Sequence, residues 1–180
     1  MNAPAPRSEL TRMVKARPLP GEPMVIEPSV AERAALAARF GLREITMLRA
    51  EVALEPKPNA IRATGRLTAK VMQPCAVSGE EFPVSIDEPI DLRFIEQRNL
   101  AASEEGEEIE IELEADDCDE IEFSGDMFDL GEAVAQTLGL AIDPYAEGPG
   151  ADAARKAAGI VVEGEQDGPL AAMLSALKKD

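Results

Sequence analysis

The cleanest pattern in the chain runs from Ala60 to Met72. Ile61, Ala63, Leu67, Ala69 and Val71, with Gly65, alternate with Arg62, Thr64, Arg66, Thr68 and Lys70. Period two is the signature of a strand with one dry face and one wet face. Glu44–Leu54 reads as the strand before it, joined through the turn Glu55-Pro56-Lys57-Pro58-Asn59. After a turn around Ser78-Gly79-Glu80, Phe82, Val84, Ile86, Ile90, Leu92 and Phe94 share one phase and predict a third strand. Pro89 lies inside that strand and removes a ladder donor, which favours an edge position or a break. Three strands with short connections make an antiparallel meander. A further short strand is expected at Leu10–Val14.

Helical spacing appears on either side of the meander. Ser29-Val30-Ala31-Glu32 has the form of a capping box, and Gly41 stands where a left-handed C-terminal cap belongs, so a helix is expected over 29–40. Asp129 is placed as the N-cap of a second helix with Glu132 at N3. Its apolar face is Leu130, Ala133, Val134, Thr137, Leu138 and Ala141, and Asp143-Pro144 ends it. Near the C-terminus, Pro169 opens an amphipathic helix with Leu170, Met173, Leu174 and Leu177 on one stripe.

These elements predict an α+β fold: an antiparallel sheet of three or more strands, flanking helices, an acidic insert and a tethered C-terminal amphipathic helix. The expected domain plan is an N-terminal arm over 1–28, a core over 29–145 containing the insert 99–120, a flexible linker over 146–168 and the terminal helix over 169–179.

Charge alters that picture more than composition does. The net charge is −17, and residues 99–149 hold 17 acidic side chains and no Lys or Arg, while the rest of the chain is close to neutral. Within the insert, Ile109, Ile111 and Leu113 alternate with Glu108, Glu110, Glu112 and Glu114. That alternation fits an isolated strand, and mutual repulsion of the carboxylates fits a disordered segment equally. The chain has no histidine, which removes imidazole acid–base chemistry, His-activated nucleophiles and His-ligated metals. Cys75 and Cys118 form no CxxC pair, and Asp116-Asp117-Cys118-Asp119-Glu120 lacks the alternation and turn glycine of a calcium loop, so no cofactor or metal is expected. No apolar run suits a signal peptide or a membrane span, so a cytosolic protein with free thiols is expected.

Three features are candidates for binding. Arg62, Arg66 and Lys70 recur every fourth residue along one strand face, about 13 Å apart at the rise of a strand, and can track a phosphate backbone. The competing reading is that they coat the wet face of a sheet opposite acidic neighbours. Glu108, Glu110, Glu112 and Glu114 are candidates for docking a basic partner, against a plain solubilising loop. Leu170, Leu174 and Leu177 can dock either on their own domain or in a partner groove. Cys75, with no neighbouring base, reads as a small buried hydrophobe rather than a reactive thiol.

The order of these parts resembles the YceD-like family, the large ribosomal RNA subunit accumulation proteins. The resemblance rests on Gly65–Phe94 (GRLTAKVMQPCAVSGEEFPVSIDEPIDLRF), the acidic insert, Gly125–Tyr145 (GDMFDLGEAVAQTLGLAIDPY), the terminal GPLAAMLSALKK and the leading SVAERAALAARFGL. Gln73, Cys75, Gly79, Glu80, Asp129 and Leu130 are its motif residues here. It implies a bacterial cytoplasmic, non-enzymatic factor in ribosome biogenesis that supports accumulation or processing of the large-subunit (23S) ribosomal RNA. The implied partners are that RNA or its precursor, or a basic ribosomal protein, with neither a membrane nor a small-molecule substrate. The alternative is an acidic protein-only chaperone for a basic ribosomal protein. Family members with further cysteines near the position of Cys75 and after the second helix have no counterpart in Val77, Ser78 or residues 143–150, so a metal site does not carry over.

Overall fold

In the computed structural model the structure describes residues 8–97 and 119–160. The strand expected around residues 109–113 and the helix expected over 169–179 lie outside them. The described chain runs β1 (Met13–Lys15), β2 (Met24–Ile26), α1 (Val30–Phe40), β3 (Glu44–Lys57), β4 (Ala60–Pro74), β5 (Glu81–Glu96), β6 (Asp119–Phe123), β7 (Met127–Asp129), α2 (Leu130–Ala141) and α3 (Ala151–Ala157). The fold is α+β, with a five-stranded sheet ordered β2-β3-β4-β5-β6 and a separate ribbon of β1 with β7.

The expected meander is β3-β4-β5. On β4 the predicted apolar positions Ile61, Ala63, Leu67, Ala69 and Val71 are all buried. On β3 the alternation breaks once: a register shift between Ile45 and Met47 switches its phase. The bulge lets Ile45 face the core together with Leu48, Ala50 and Val52. Gly65 permits close approach of β3 and β4, since a side chain there would collide with the Glu51 carbonyl.

The sheet is extended by β6, which runs parallel to β5 from Leu92↔Asp119 to Glu96↔Phe123. A parallel neighbour needs a crossover of a dozen or more residues, and the acidic stretch provides that length of chain. Pro89 stands in β5 before this pairing begins, on an edge free of any strand among the described residues, as its missing N–H favours.

Helix α1 starts on the expected capping box: the Ser29 Oγ accepts from the Glu32 N–H, and the Glu32 carboxylate accepts from the Ser29 N–H at 2.7 Å. Gly41, at φ 67°, closes it in the left-handed conformation. Arg33 donates to the carbonyls of Ile45 and Pro28, holding the helix to the start of β3. Asp129 caps α2 by accepting from the N–H groups of Gly131 and Glu132, and also takes the Arg12 N–H at 2.8 Å. That bond sets the N-terminal segment across the first turn of α2. Leu10, Leu36, Leu67, Phe94, Phe128, Leu130 and Leu138 form the centre of the core. The ribbon joins it through Phe128, whose ring centre is 4.3 Å from that of Phe94.

The described residues divide into two compact units: 8–73 with 83–97 and 119–143, and 74–82 with 144–160. The second holds the β4–β5 connection. There the Ala76 N–H donates to Ala146 O, Gly148 lies against the Phe82 ring and Gly150 beside the Glu80 carboxylate. Part of the stretch expected as a flexible linker over 146–168 is therefore ordered, and it contains the helix α3. Arg155 ties that helix to Glu147 before it and pairs within it with Asp152.

Candidate partner-binding surface

The outer face of the sheet is where the cationic stripe was expected. Arg62 and Arg66 do lie there, but each is already held by a carboxylate of β5. Arg62 donates from Nε and Nη2 to the two oxygens of Asp91, at 2.9 and 2.7 Å. Arg66 makes the same two-pronged contact with Asp87, at 2.5 and 2.8 Å. Such fork-to-fork pairs fix geometry as well as charge. Arg66 also sits opposite Glu51 in the β3–β4 register, but that carboxylate accepts from Arg49, which bridges to Glu27 as well. Lys70 is solvent-exposed at the end of the row. The stripe is thus the wet face of a sheet with its own counter-ions, and two of its three cations have their charge matched within the fold.

The same holds around the periphery. Arg12 pairs with Glu32, Arg17 with Glu96, Arg93 with Glu120, and Arg39 with both Glu9 and Glu132. Arg39 holds the Glu132 carboxyl down to about 2, with further hydrogen bonds from Ser8 and Gln136. Arg12 holds Glu32 down to about 2 in the same way, assisted by the Ser29 N–H. Glu108, Glu110, Glu112, Glu114, Leu170, Leu174 and Leu177 lie outside the described residues.

The motif residues sort into structural roles. Leu130 is fully buried and Asp129 is the cap described above. Gln73, 4% exposed, donates from Nε2 to Asp143 O at 3.1 Å, while its buried Oε1 has no hydrogen-bond partner among the described residues. Cys75 is 3% exposed, as expected of a small buried side chain. Its turn is closed by the Gly79 N–H on the Cys75 carbonyl, with Gly79 at φ 72°, and the Cys75 N–H donates to Glu80 O. The N–H groups of Val77 and Ser78 point at Sγ, each at 3.4 Å. The Ser78 hydroxyl, followed by the backbone N–H groups of Ser78, Gly148 and Val77, pulls the thiol down to about 7. The sulfur therefore acts as an acceptor that knits the turn together, a role its neighbours in sequence do not disclose. Among the described residues no group of three or more Cys, Asp or Glu is arranged to hold a metal ion.

Sequence reasoning missed Asp87 and Asp91. Their separation of four residues mirrors that of Arg62 and Arg66, and in an antiparallel hairpin of the right register the two rows must meet. It also missed a shallow groove between β5 and the last turn of α2, where Leu140 is 80% exposed and Glu88, Asp91 and Asp119 form the rim.

Fold and surface together define a small α+β protein whose sheet displays self-neutralised ion pairs and whose excess charge is acidic. The chain belongs to the YceD family of large ribosomal RNA subunit accumulation proteins, which residues 63–173, more than half of its length, match. That description links it to accumulation of the large-subunit ribosomal RNA. Comparison with curated proteins and with solved structures gave no match. No helix among the described residues is long and apolar enough to cross a membrane.

Proposed function

We propose that this protein supports accumulation of large-subunit ribosomal RNA as a non-enzymatic, cytoplasmic binding factor that engages a basic protein partner, such as a ribosomal protein, rather than the RNA itself. The observation that carries this reading is the occupation of Arg62 and Arg66 by Asp91 and Asp87. A polyanion gains affinity chiefly by replacing counter-ions on free cations, and cations already matched by fixed carboxylates release little. The opposite charge balance, −17 over the chain, attracts cationic proteins and speeds their encounter.

The test is binding of the purified full chain to basic large-subunit ribosomal proteins and, separately, to 23S rRNA fragments at low salt. The expected result is salt-sensitive binding to one or more of the proteins, weakened by deleting residues 103–117, with no shift of the RNA. A shift of rRNA that is lost on reversing the charges of Arg62, Arg66 and Lys70 would overturn the protein-only reading.

A further inference from the structure

We infer that the groove between β5 and the last turn of α2 is the seat of that basic partner, taking an apolar side chain over Leu140 and an arginine or lysine against its rim; this rests on the reading just given. The groove has a volume of about 220 Å³, room for one or two side chains. Its apolar lining includes the buried Ile90 and Leu92 together with Ala141 and the exposed Pro89. An exposed leucine alone means nothing, but Leu140 stands at the mouth of a concavity and is 80% exposed.

The rim has one sign of charge. Among the described residues that line the groove none is basic, and Glu88, Asp91 and Asp119 are acidic. Glu88 shares the phase of Ile86 and Ile90, so its carboxylate stands on the helix side of the sheet, whereas Asp91 points to the wet face and is engaged by Arg62. Asp119 lies beside Leu92 in the parallel register. The end of α2 adds to this field. Its last turn has no basic residue, and its terminal carbonyls carry the negative end of the helix dipole.

Charge selects the occupant. RNA, a second copy of this chain and the chain's own acidic stretch all bear the sign that the rim repels. A cationic segment with an apolar side chain is complementary to both parts. Pro83 and Pro89 interrupt the row of N–H donors along this edge of β5, so the partner is held through side chains and not as an added strand.

The experiment uses two short synthetic peptides, one of arginines with two leucines and one with those leucines replaced by serine. Binding to the full chain is followed by fluorescence anisotropy at low and high salt. Leu140→Ser should weaken the leucine peptide about tenfold and leave the serine peptide unchanged. Glu88→Lys with Asp119→Lys should weaken both and flatten their salt dependence. Leu140 is exposed, so its variant keeps the fold, which circular dichroism checks. Binding that survives in both variants would place the basic partner elsewhere and overturn the groove while leaving the proposed function standing. If the wild-type chain bound neither peptide nor any basic ribosomal protein, both readings would fail. Self-association abolished by Leu140→Ser would give the groove to a second copy and overturn this assignment.

Discussion

Glu132 joins three parts of this fold. It accepts from Arg39 at 2.9 and 3.0 Å, from Ser8 and from Gln136, tying the N-terminal segment, α1 and α2 to one another. Its carboxyl is lowered from 4.5 to about 2, first by the hydrogen bonds from Arg39. A depressed carboxylate stabilises the folded state above its unfolded value. The contribution is therefore complete above about pH 4.5 and is lost as pH falls toward 2. Both partners are about one-quarter to one-third exposed, so solvent screens the pair. Glu132→Gln should cost about 1–2 kcal/mol at neutral pH, a deficit that shrinks to nothing near pH 2. Urea unfolding of the two proteins across that range measures it. A constant deficit would show that packing, not ionisation, sets the role of Glu132.

At the scale of elements, Gly131 shows how a local preference is overruled by a neighbour. Alanine is the better helix former by about 1 kcal/mol, so Gly131→Ala would stabilise an isolated α2. Here an added methyl would fall on the Leu10 carbonyl and within 2.7 Å of the Arg12 nitrogen, which are backbone atoms with little freedom to move. The variant should lose about 2–3 kcal/mol and release the segment carrying β1. Faster hydrogen exchange at Arg12 and Leu130, whose N–H groups bond across this contact, would report the release. The glycine in Asp129-Leu130-Gly131-Glu132 was readable as part of a capped helix. Its necessity was not, because the atoms that demand it come from more than a hundred residues earlier.

At the scale of the whole molecule, the ion pairs Arg62–Asp91 and Arg66–Asp87 set the charge of the sheet's outer face. Asp87→Asn with Asp91→Asn removes the two β5 carboxylates that Arg66 and Arg62 engage and makes the outer face more cationic. On the proposed reading the double variant should bind rRNA fragments more tightly than the wild type at low salt, with a steep loss as salt rises. Gel shift across a salt series checks this. A double variant as inert as the wild type would show that the aspartates are not what keeps RNA away.

Much of this architecture was legible beforehand because it is encoded over short distances. The alternation on β4, the capping box at Ser29, the cap at Asp129 and the arrest of helix α1 at Gly41 each depend on a few successive residues, and each appears where the chain places it. The concentration of anions within 99–149 is likewise a property of sequence alone. Tertiary structure decided the rest. The bulge in β3 moved its apolar phase by one residue, and the parallel docking of β6 broke the antiparallel order. Part of the linker forms α3, after residues 146–150 that lie against the β4–β5 connection. Above all, register placed Asp91 and Asp87 under Arg62 and Arg66, so that a row of cations became a row of pairs. Electrostatic meaning depends on what lies within a few ångströms in space, and one-dimensional spacing supplies that only once the pairing of strands is known.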